Sequence, residues 1–298
     1  MAGIQTVMNR YNFFWLNDVR RLPYPKVVMI DPINMCHLKC PLCPTGAQRL
    51  NYDLQIMSLE TFKVILGKMA FVKKVELFKT GEPFLNTDIF AMTRYACDRN
   101  IEVMISTNFS FSKPDEFFEN IVISGLERLI ISLDGASQES YSQNRRGGNY
   151  DLVVSNIRKL IDTKKRLHSS KPKIVWQFLV NRFNEYEIAT AQEISSDLKI
   201  TLDLQPMGLA DDWPDVELEN TIEERKAHWL PTNKKFISAC YRSEYRYPLS
   251  QGICAQLFTR LVVTVDGKVL PCCWAAGDRL AGNLARSQKT TEGNKWNE

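Results

Sequence analysis

Long apolar runs are missing from this chain. The longest, such as Lys26 to Ile30 and Leu261 to Val265, fall far short of the ~20 residues that a membrane-spanning helix needs, so no such helix is expected. A secretory signal is missing as well, because Asn9, Arg10, Asn12, Asp18, Arg20 and Arg21 interrupt the N-terminal aromatics and leave no continuous apolar core. With 14 Gly and 13 Pro in 298 residues, and no repeat or low-complexity tract, fibrous, solenoid and disordered classes are set aside. An excess of one charge is also lacking: 38 Lys and Arg stand against 34 Asp and Glu, interspersed, for a net +4. That balance gives no electrostatic case for a nucleic-acid partner. What remains is an ordinary folded, enzyme-sized protein placed in the cytoplasm, where eight cysteines read as metal ligands or buried thiols rather than a disulfide framework.

From residue 26 onward, short β-branched runs alternate with longer amphipathic segments, the pattern of repeated βα units around a parallel sheet. Strands are expected at Lys26 to Asp31, Lys74 to Lys79, Ile101 to Thr107, Arg128 to Leu133, Ile174 to Val180 and Thr201 to Gln205. Helical spacing falls at Ser58 to Met69, Thr87 to Asn100, Lys113 to Ser124, Tyr150 to Leu167 and Asn184 to Leu198. Ser58 before Thr61, Asn86 or Thr87 before Asp88, and Asn184 before Glu187 are the expected helix starts. Periodicity alone leaves two α/β architectures open, an open doubly wound sheet or an incomplete barrel. Both place chemistry at the C-terminal ends of the strands. Beyond residue 210 the alternation stops in a Pro-, Trp- and Tyr-containing linker with one helix expected at Thr221 to Trp229. Leu257 to Leu270 then reads as a hairpin around Asp266-Gly267 and opens a small second domain.

Cys36, Cys40 and Cys43 follow the first strand directly, spaced C-x3-C-x2-C. Three thiolates on one loop can hold three irons of a [4Fe-4S] cluster and leave the fourth open. A structural zinc site is the main competing reading, ahead of a chance clustering of cysteines. It wants four closed ligands, commonly in C-x2-C pairs, and His37 lies too close beside Cys36 to be a natural fourth. A basic stretch at Arg158, Lys159, Lys164, Lys165, Arg166, Lys171 and Lys173 reads as a solvated helix face and loop. Its sharper alternative is a docking patch for an acidic electron donor such as flavodoxin or ferredoxin.

The run from Asn34 to Pro44 resembles the cluster loop of the radical S-adenosylmethionine (SAM) superfamily, with Leu42 where an aromatic is common and His37 where Asn is common. Three further strand ends fit the same resemblance. Thr80-Gly81-Glu82-Pro83 is similar to the family's GGEP turn, in which backbone and Glu groups receive the amino group of the methionine moiety. Ser106-Thr107-Asn108 and Ser132-Leu133-Asp134-Gly135 are similar to its S/T-x-N and S-x-D-G ends near the cofactor's ribose and carboxylate. Turn-forming residues that merely terminate strands are the bland alternative. Arg145 aligns with an Arg that pairs with the methionine carboxylate in related enzymes, and Arg146 is the alternative.

A second resemblance lies near the C-terminus. Cys254, Gly267 and Cys272 are spaced C-x12-G-x4-C, followed by Cys273-Trp274 and Gly282-Asn283-Leu284, like the opening of the SPASM or twitch auxiliary-cluster domains. This implies an auxiliary [4Fe-4S] cluster on Cys254 and Cys272. Cys273 and Cys240 are candidates for a further ligand or for a hydrogen-atom donor to a substrate radical, and Cys97 reads as a packed core thiol. The domain is either the short form or continues past residue 298.

Together the resemblances imply a partial (β/α)6 barrel over residues 26–210, with an N-terminal extension at 1–25, a linker at 211–253 and an auxiliary domain at 254–298. They imply reductive cleavage of SAM to a 5′-deoxyadenosyl radical that abstracts hydrogen from a substrate. Oxidation, epimerisation or crosslinking of a sugar, aminocyclitol or peptide would follow, with a low-potential donor supplying the electron. The short extension before the first strand tilts the expectation towards a carbohydrate-like molecule or a peptide delivered by another protein. The contrasting class is a two-cluster electron carrier or scaffold with no substrate of its own.

Overall fold

A computed structural model describes residues 24–48, 53–209, 221–238, 241, 259–270 and 282–284. The six expected strands form as β1 (Val27–Ile30), β2 (Lys74–Glu76), β3 (Glu102–Thr107), β4 (Arg128–Ser132), β5 (Lys173–Val180) and β6 (Thr201–Pro206). Helices α1 (Leu59–Gly67), α2 (Ile89–Cys97), α3 (Asp115–Ile123), α4 (Gln138–Asn144), α5 (Tyr150–Arg166) and α6 (Ile188–Asp197) lie between them. Each strand pairs in parallel with its predecessor, Met29 opposite Glu76 and Glu76 opposite Met104, for example. A doubly wound sheet would reverse its strand order at a switch point. Here the order from β1 to β6 never reverses, so right-handed crossovers put all the helices on one face. That resolves the architecture in favour of the partial barrel.

Strand alternation sorts the side chains. Val28, Ile30, Val75, Leu77, Val103, Ile105, Leu129, Ile131, Trp176 and Phe178 pack in one buried cluster with Phe62 and Ile65 of α1, Met92 of α2, Phe118 and Ile121 of α3 and Ile157 and Leu160 of α5. Burial of this order, at about 25 cal/mol per Å² of apolar surface, is the main stabilising contribution. Residues one step out of phase face the other way, into the barrel: Met29, Glu76, Ser106, Ile130, Ser132, Gln177 and Asp203.

Helix starts follow local chemistry with two departures. The Ser58 hydroxyl accepts the Thr61 N–H at 3.2 Å, as expected, and Asn149 caps α5 through the Leu152 N–H at 2.9 Å. At α2, Asn86 Oδ1 accepts the Asp88 N–H at 2.8 Å, while the Asp88 carboxylate reaches across to the Leu59 N–H of α1 at 2.9 Å. The segment after Asn184 opens with a 3-10 turn at Glu185–Glu187, and α6 begins only at Ile188. Helix α4 is additional to the sequence reading. The linker helix forms as α7 (Ile222–Trp229), opened by a capping box in which Thr221 and Glu224 bond reciprocally.

The hairpin around Asp266-Gly267 is β7 (Arg260–Val263) and β8 (Lys268–Leu270), with Gly267 at φ 80°. It is hydrogen-bonded into the same sheet: β7 runs parallel to β1, Val28 opposite Leu261, and a two-residue β9 (Gly282–Asn283) adds to β8. The Leu284 N–H donates to the Gly267 carbonyl at 2.7 Å, so the glycine and the Gly-Asn-Leu run of the expected auxiliary pattern do meet. Among the described residues no helix is long and apolar enough to cross a membrane.

Candidate functional site

The loop leaving β1 is held on three sides. The Asp31 N–H donates to the Val263 carbonyl at 2.9 Å, and Ile33 bridges Ile56. Asn34 clasps the chain at 53–55, donating to the Asp53 carbonyl at 2.8 Å and accepting the Gln55 N–H at 2.7 Å. Further on, the Lys39 N–H donates to the Arg146 carbonyl at 2.9 Å, the Cys43 N–H to the Cys40 carbonyl at 3.1 Å and the Ala47 N–H to the Cys43 carbonyl at 2.8 Å. His37 is exposed, with its Nε2 2.9 Å from the Ser110 carbonyl and its ring edge-on to Phe111. Leu42 packs against Met207, Leu209, Trp229 and Leu230, tying the loop to the segment after β6 and to α7.

These tethers gather the three thiols. Cys40 is buried, Cys36 and Cys43 half-buried. Burial pushes the Cys36 thiol up to about 12, with Glu82, Cys40 and Cys43 raising it further. Cys40 is raised by burial too, opposed by the Arg145 cation. Both thiols are therefore protonated at neutral pH until a thiophilic metal displaces the protons. Among the described residues no three Cys, His, Asp or Glu side chains converge on a single-ion site. A cluster binds one thiolate on each of three irons, so its ligands need not meet at a point, and the donor set fits it.

The turn after β2 is pressed against this loop. A Cβ on Gly81 would lie 2.1 Å from the Ile33 carbonyl oxygen and 2.8 Å from that of Met35, so only glycine fits. The Glu82 N–H donates to the Met35 carbonyl at 2.8 Å, and Pro83 opens a 3-10 turn whose Phe84 ring meets Phe117 edge-on at 5.0 Å. The Glu82 carboxylate is 1% exposed. It accepts from the Thr107 hydroxyl at 2.7 Å, the Phe84 N–H at 3.2 Å and the Asn108 N–H at 2.8 Å. Burial pushes its pKa up to about 7 against these three bonds. The side chain thus fastens the end of β3 to the turn.

At the end of β4, Asp134 is fully buried. One oxygen accepts from Arg145 Nε at 2.6 Å and Asn144 Nδ2 at 2.8 Å, the other from the Leu179 N–H at 2.9 Å. Arg145, 16% exposed, is thereby aimed at the Cys40 side of the loop, whereas Arg146 is exposed. Ser106 is half-buried and Ser132 buried on the inner wall, while Asn108 stands beside Cys36. Glycine is again required at Gly135, where a Cβ would lie 2.6 Å from the Tyr141 backbone nitrogen.

Every candidate from Cys36 to Arg145 therefore collects at one end of the sheet. Cys240, Cys254, Cys272 and Cys273 lie outside the described residues. Cys97 packs beside α3, its thiol donating to the Gly125 carbonyl at 3.3 Å. Sequence reasoning missed Asp31, which accepts the Thr80 N–H at 3.3 Å and the Thr80 hydroxyl, and Glu187, which seats α4. Asp31 had a signal, a carboxylate ending an apolar strand. Glu187 had none, since its partners lie 47 to 51 residues away.

Residues 30–170 match the family model described as the Radical SAM superfamily. The AdoMet-dependent heme synthase of Methanosarcina barkeri is 25% identical over 211 residues, 69% of this chain; the chain spans only 58% of that protein's length. A probable GTP 3′,8-cyclase of Methanocaldococcus jannaschii is 24% identical over 256 residues, 82% of this chain and 83% of its own. In fold, the chain is similar to Streptococcus suis SuiB bound to S-adenosylmethionine, with a TM-score of 0.66 at 14% identity over 97% of this chain and 70% of SuiB.

Proposed function

We propose, from the match of residues 30–170 to the radical SAM superfamily model, that the chain is an enzyme that cleaves SAM reductively and uses the resulting radical on a substrate held in the barrel. The observation that carries this reading is the convergence of the Cys36–Cys43 loop with the Gly81 turn, the end of β3 and Arg145 at one sheet end. Cys36, Cys40 and Cys43 would hold a [4Fe-4S] cluster, which would supply the electron for reductive cleavage of the cofactor's sulfonium bond. The backbone of residues 80–83 receives the amino group of the methionine moiety. Arg145, held rigid by Asp134, pairs with its carboxylate, and Ser106 and Ser132 line the wall towards the ribose. Gln177, Asp203 and Gln205, on inward positions of β5 and β6, offer amides and a carboxylate to hydroxyl or amino groups of the substrate.

A sugar or aminocyclitol is the first substrate class to test. The relatives named for heme and GTP chemistry support a small molecule; a peptide comes second, since SuiB is also known bound to its precursor peptide SuiA. Cys254 and Cys272, with Cys273 or Cys240, would hold an auxiliary cluster that accepts the substrate's electron. The meeting of Gly267 with Leu284 supports it.

Anaerobic reconstitution with iron and sulfide, reduction by dithionite and addition of SAM should yield 5′-deoxyadenosine. Equal yields from wild type and Cys40→Ala would sink the enzyme reading and leave the electron carrier. About eight irons per chain are expected in wild type and about four after Cys36, Cys40 and Cys43 are all replaced by Ala. About four in wild type would remove the auxiliary cluster.

A further inference from the structure

Asn108 is buried at the end of β3, and its amide is fixed at both ends. Oδ1 accepts the Ser110 N–H at 2.9 Å, Nδ2 lies 3.7 Å from Cys36 Sγ, and its own backbone N–H is bonded to Glu82 Oε2 at 2.8 Å. A backbone N–H can only donate, so the amide oxygen must face Ser110 and the NH2 group is the end left for the sulfur. The Leu38 N–H is a second donor to the same sulfur, at 3.4 Å. The family resemblance makes Asn108 a contact for the cofactor; the geometry aims it at a cluster ligand instead.

We propose that Asn108 is a positioning residue for electron transfer, whose amide hydrogen-bonds the Cys36 thiolate and sets the reduction potential of the cluster held there. This rests on the cluster reading above. When one electron enters the cluster, negative charge builds on its sulfur ligands, with no bond formed or broken at Asn108 and no proton transferred. An N–H donor pointed at the thiolate stabilises the reduced form more than the oxidised one, and raises the potential. The Glu82 and Ser110 contacts hold the amide rotamer, so the donor stays in place before any cofactor arrives.

The test is redox titration of reconstituted wild type, Asn108→Leu and Asn108→Asp without SAM, following by electron paramagnetic resonance the signal that later responds to added SAM. Leu removes the donor at similar volume. It should make reduction about tenfold less favourable, a shift of about 59 mV to more negative potential for one electron. Asp keeps the acceptor for Ser110 but turns a negative oxygen towards the sulfur, and should shift the potential further in the same direction. SAM affinity of Asn108→Leu should stay within about twofold of wild type. Unchanged potentials with weakened SAM binding would make Asn108 a cofactor contact and overturn the assignment. Loss of cluster loading in both variants would overturn it too, by making Asn108 a structural part of the loop. A wild type that binds no cluster defeats the underlying reading instead.

Discussion

Asp31 links folding to pH at a single side chain. Burial pushes its pKa from 3.8 up to about 6, against the Thr80 bonds and the nearby Lys79. The folded state therefore holds the proton more tightly than the unfolded chain, and stability falls as pH rises from about 4 to about 6. Asp31→Asn keeps an oxygen for the Thr80 N–H and offers its NH2 to the Thr80 hydroxyl, yet never ionises. It should match wild type below about pH 4 and exceed it at pH 7.5 by about 3 kcal/mol. Urea midpoints measured across that range check this; a wild type that gains on the variant between pH 4 and 6 would refute it. The residue scale is also where the sequence was only partly legible. The cysteine spacing and the Gly-Glu-Pro turn are local signatures. The need for glycine at Gly81, by contrast, comes from the Ile33 carbonyl, and the commitment of Glu82 and Asp134 to internal donors comes from strand ends adjacent only in the fold.

Helix α4 shows the same limit for an element. At seven residues it has too few turns to be stable alone, and its Ser- and Gln-rich sequence shows no apolar periodicity. What holds it is Tyr141, buried in the main core cluster, and Glu187, which accepts the Ala136 N–H at 2.7 Å and the Ser137 hydroxyl at 2.6 Å, and also the Ser140 hydroxyl. Its far end is Asn144 and Arg145, both on Asp134. Glu187→Ala should cost about 2–3 kcal/mol in urea unfolding. It should also weaken SAM binding several-fold while leaving iron loading intact; an unchanged SAM affinity would detach α4 from the site. Strands β1 to β6 and helices α1 to α3 and α5 were legible because each carries its own period of apolar residues. Their winding around one side became legible only from strand order.

Across the whole molecule, parallel strands give the barrel two unlike ends, and under the proposed function the electron would enter at the one with the cysteines. The basic stretch at the end of α5 lies at the other. Lys165, His168 and Lys173 border an open cleft of about 960 Å³ with Lys199 and Thr201, at the N-terminal ends of β5 and β6. Four cations of the basic stretch are paired with carboxylates: Lys165 with Asp162, Arg166 with Glu119, and Lys171 and Lys173 with Glu127. The eight residues of β5, at about 3.3 Å each, put roughly 25 Å between that cleft and the cluster end. Lys39 and Arg146 are instead exposed beside the cysteine loop and joined through the Lys39 N–H and Arg146 carbonyl, a cationic pair suited to an acidic donor. With flavodoxin as reductant, Lys39→Glu with Arg146→Glu should slow 5′-deoxyadenosine formation at least fivefold, most strongly at low salt because the attraction is screened over about 10 Å at 0.1 M. With dithionite, a small reductant that needs no docking, the same variant should run within about twofold of wild type. Lys165→Glu with Lys173→Glu should leave both assays unchanged, and a loss there confined to the flavodoxin assay would move the docking face to the opposite end of the barrel.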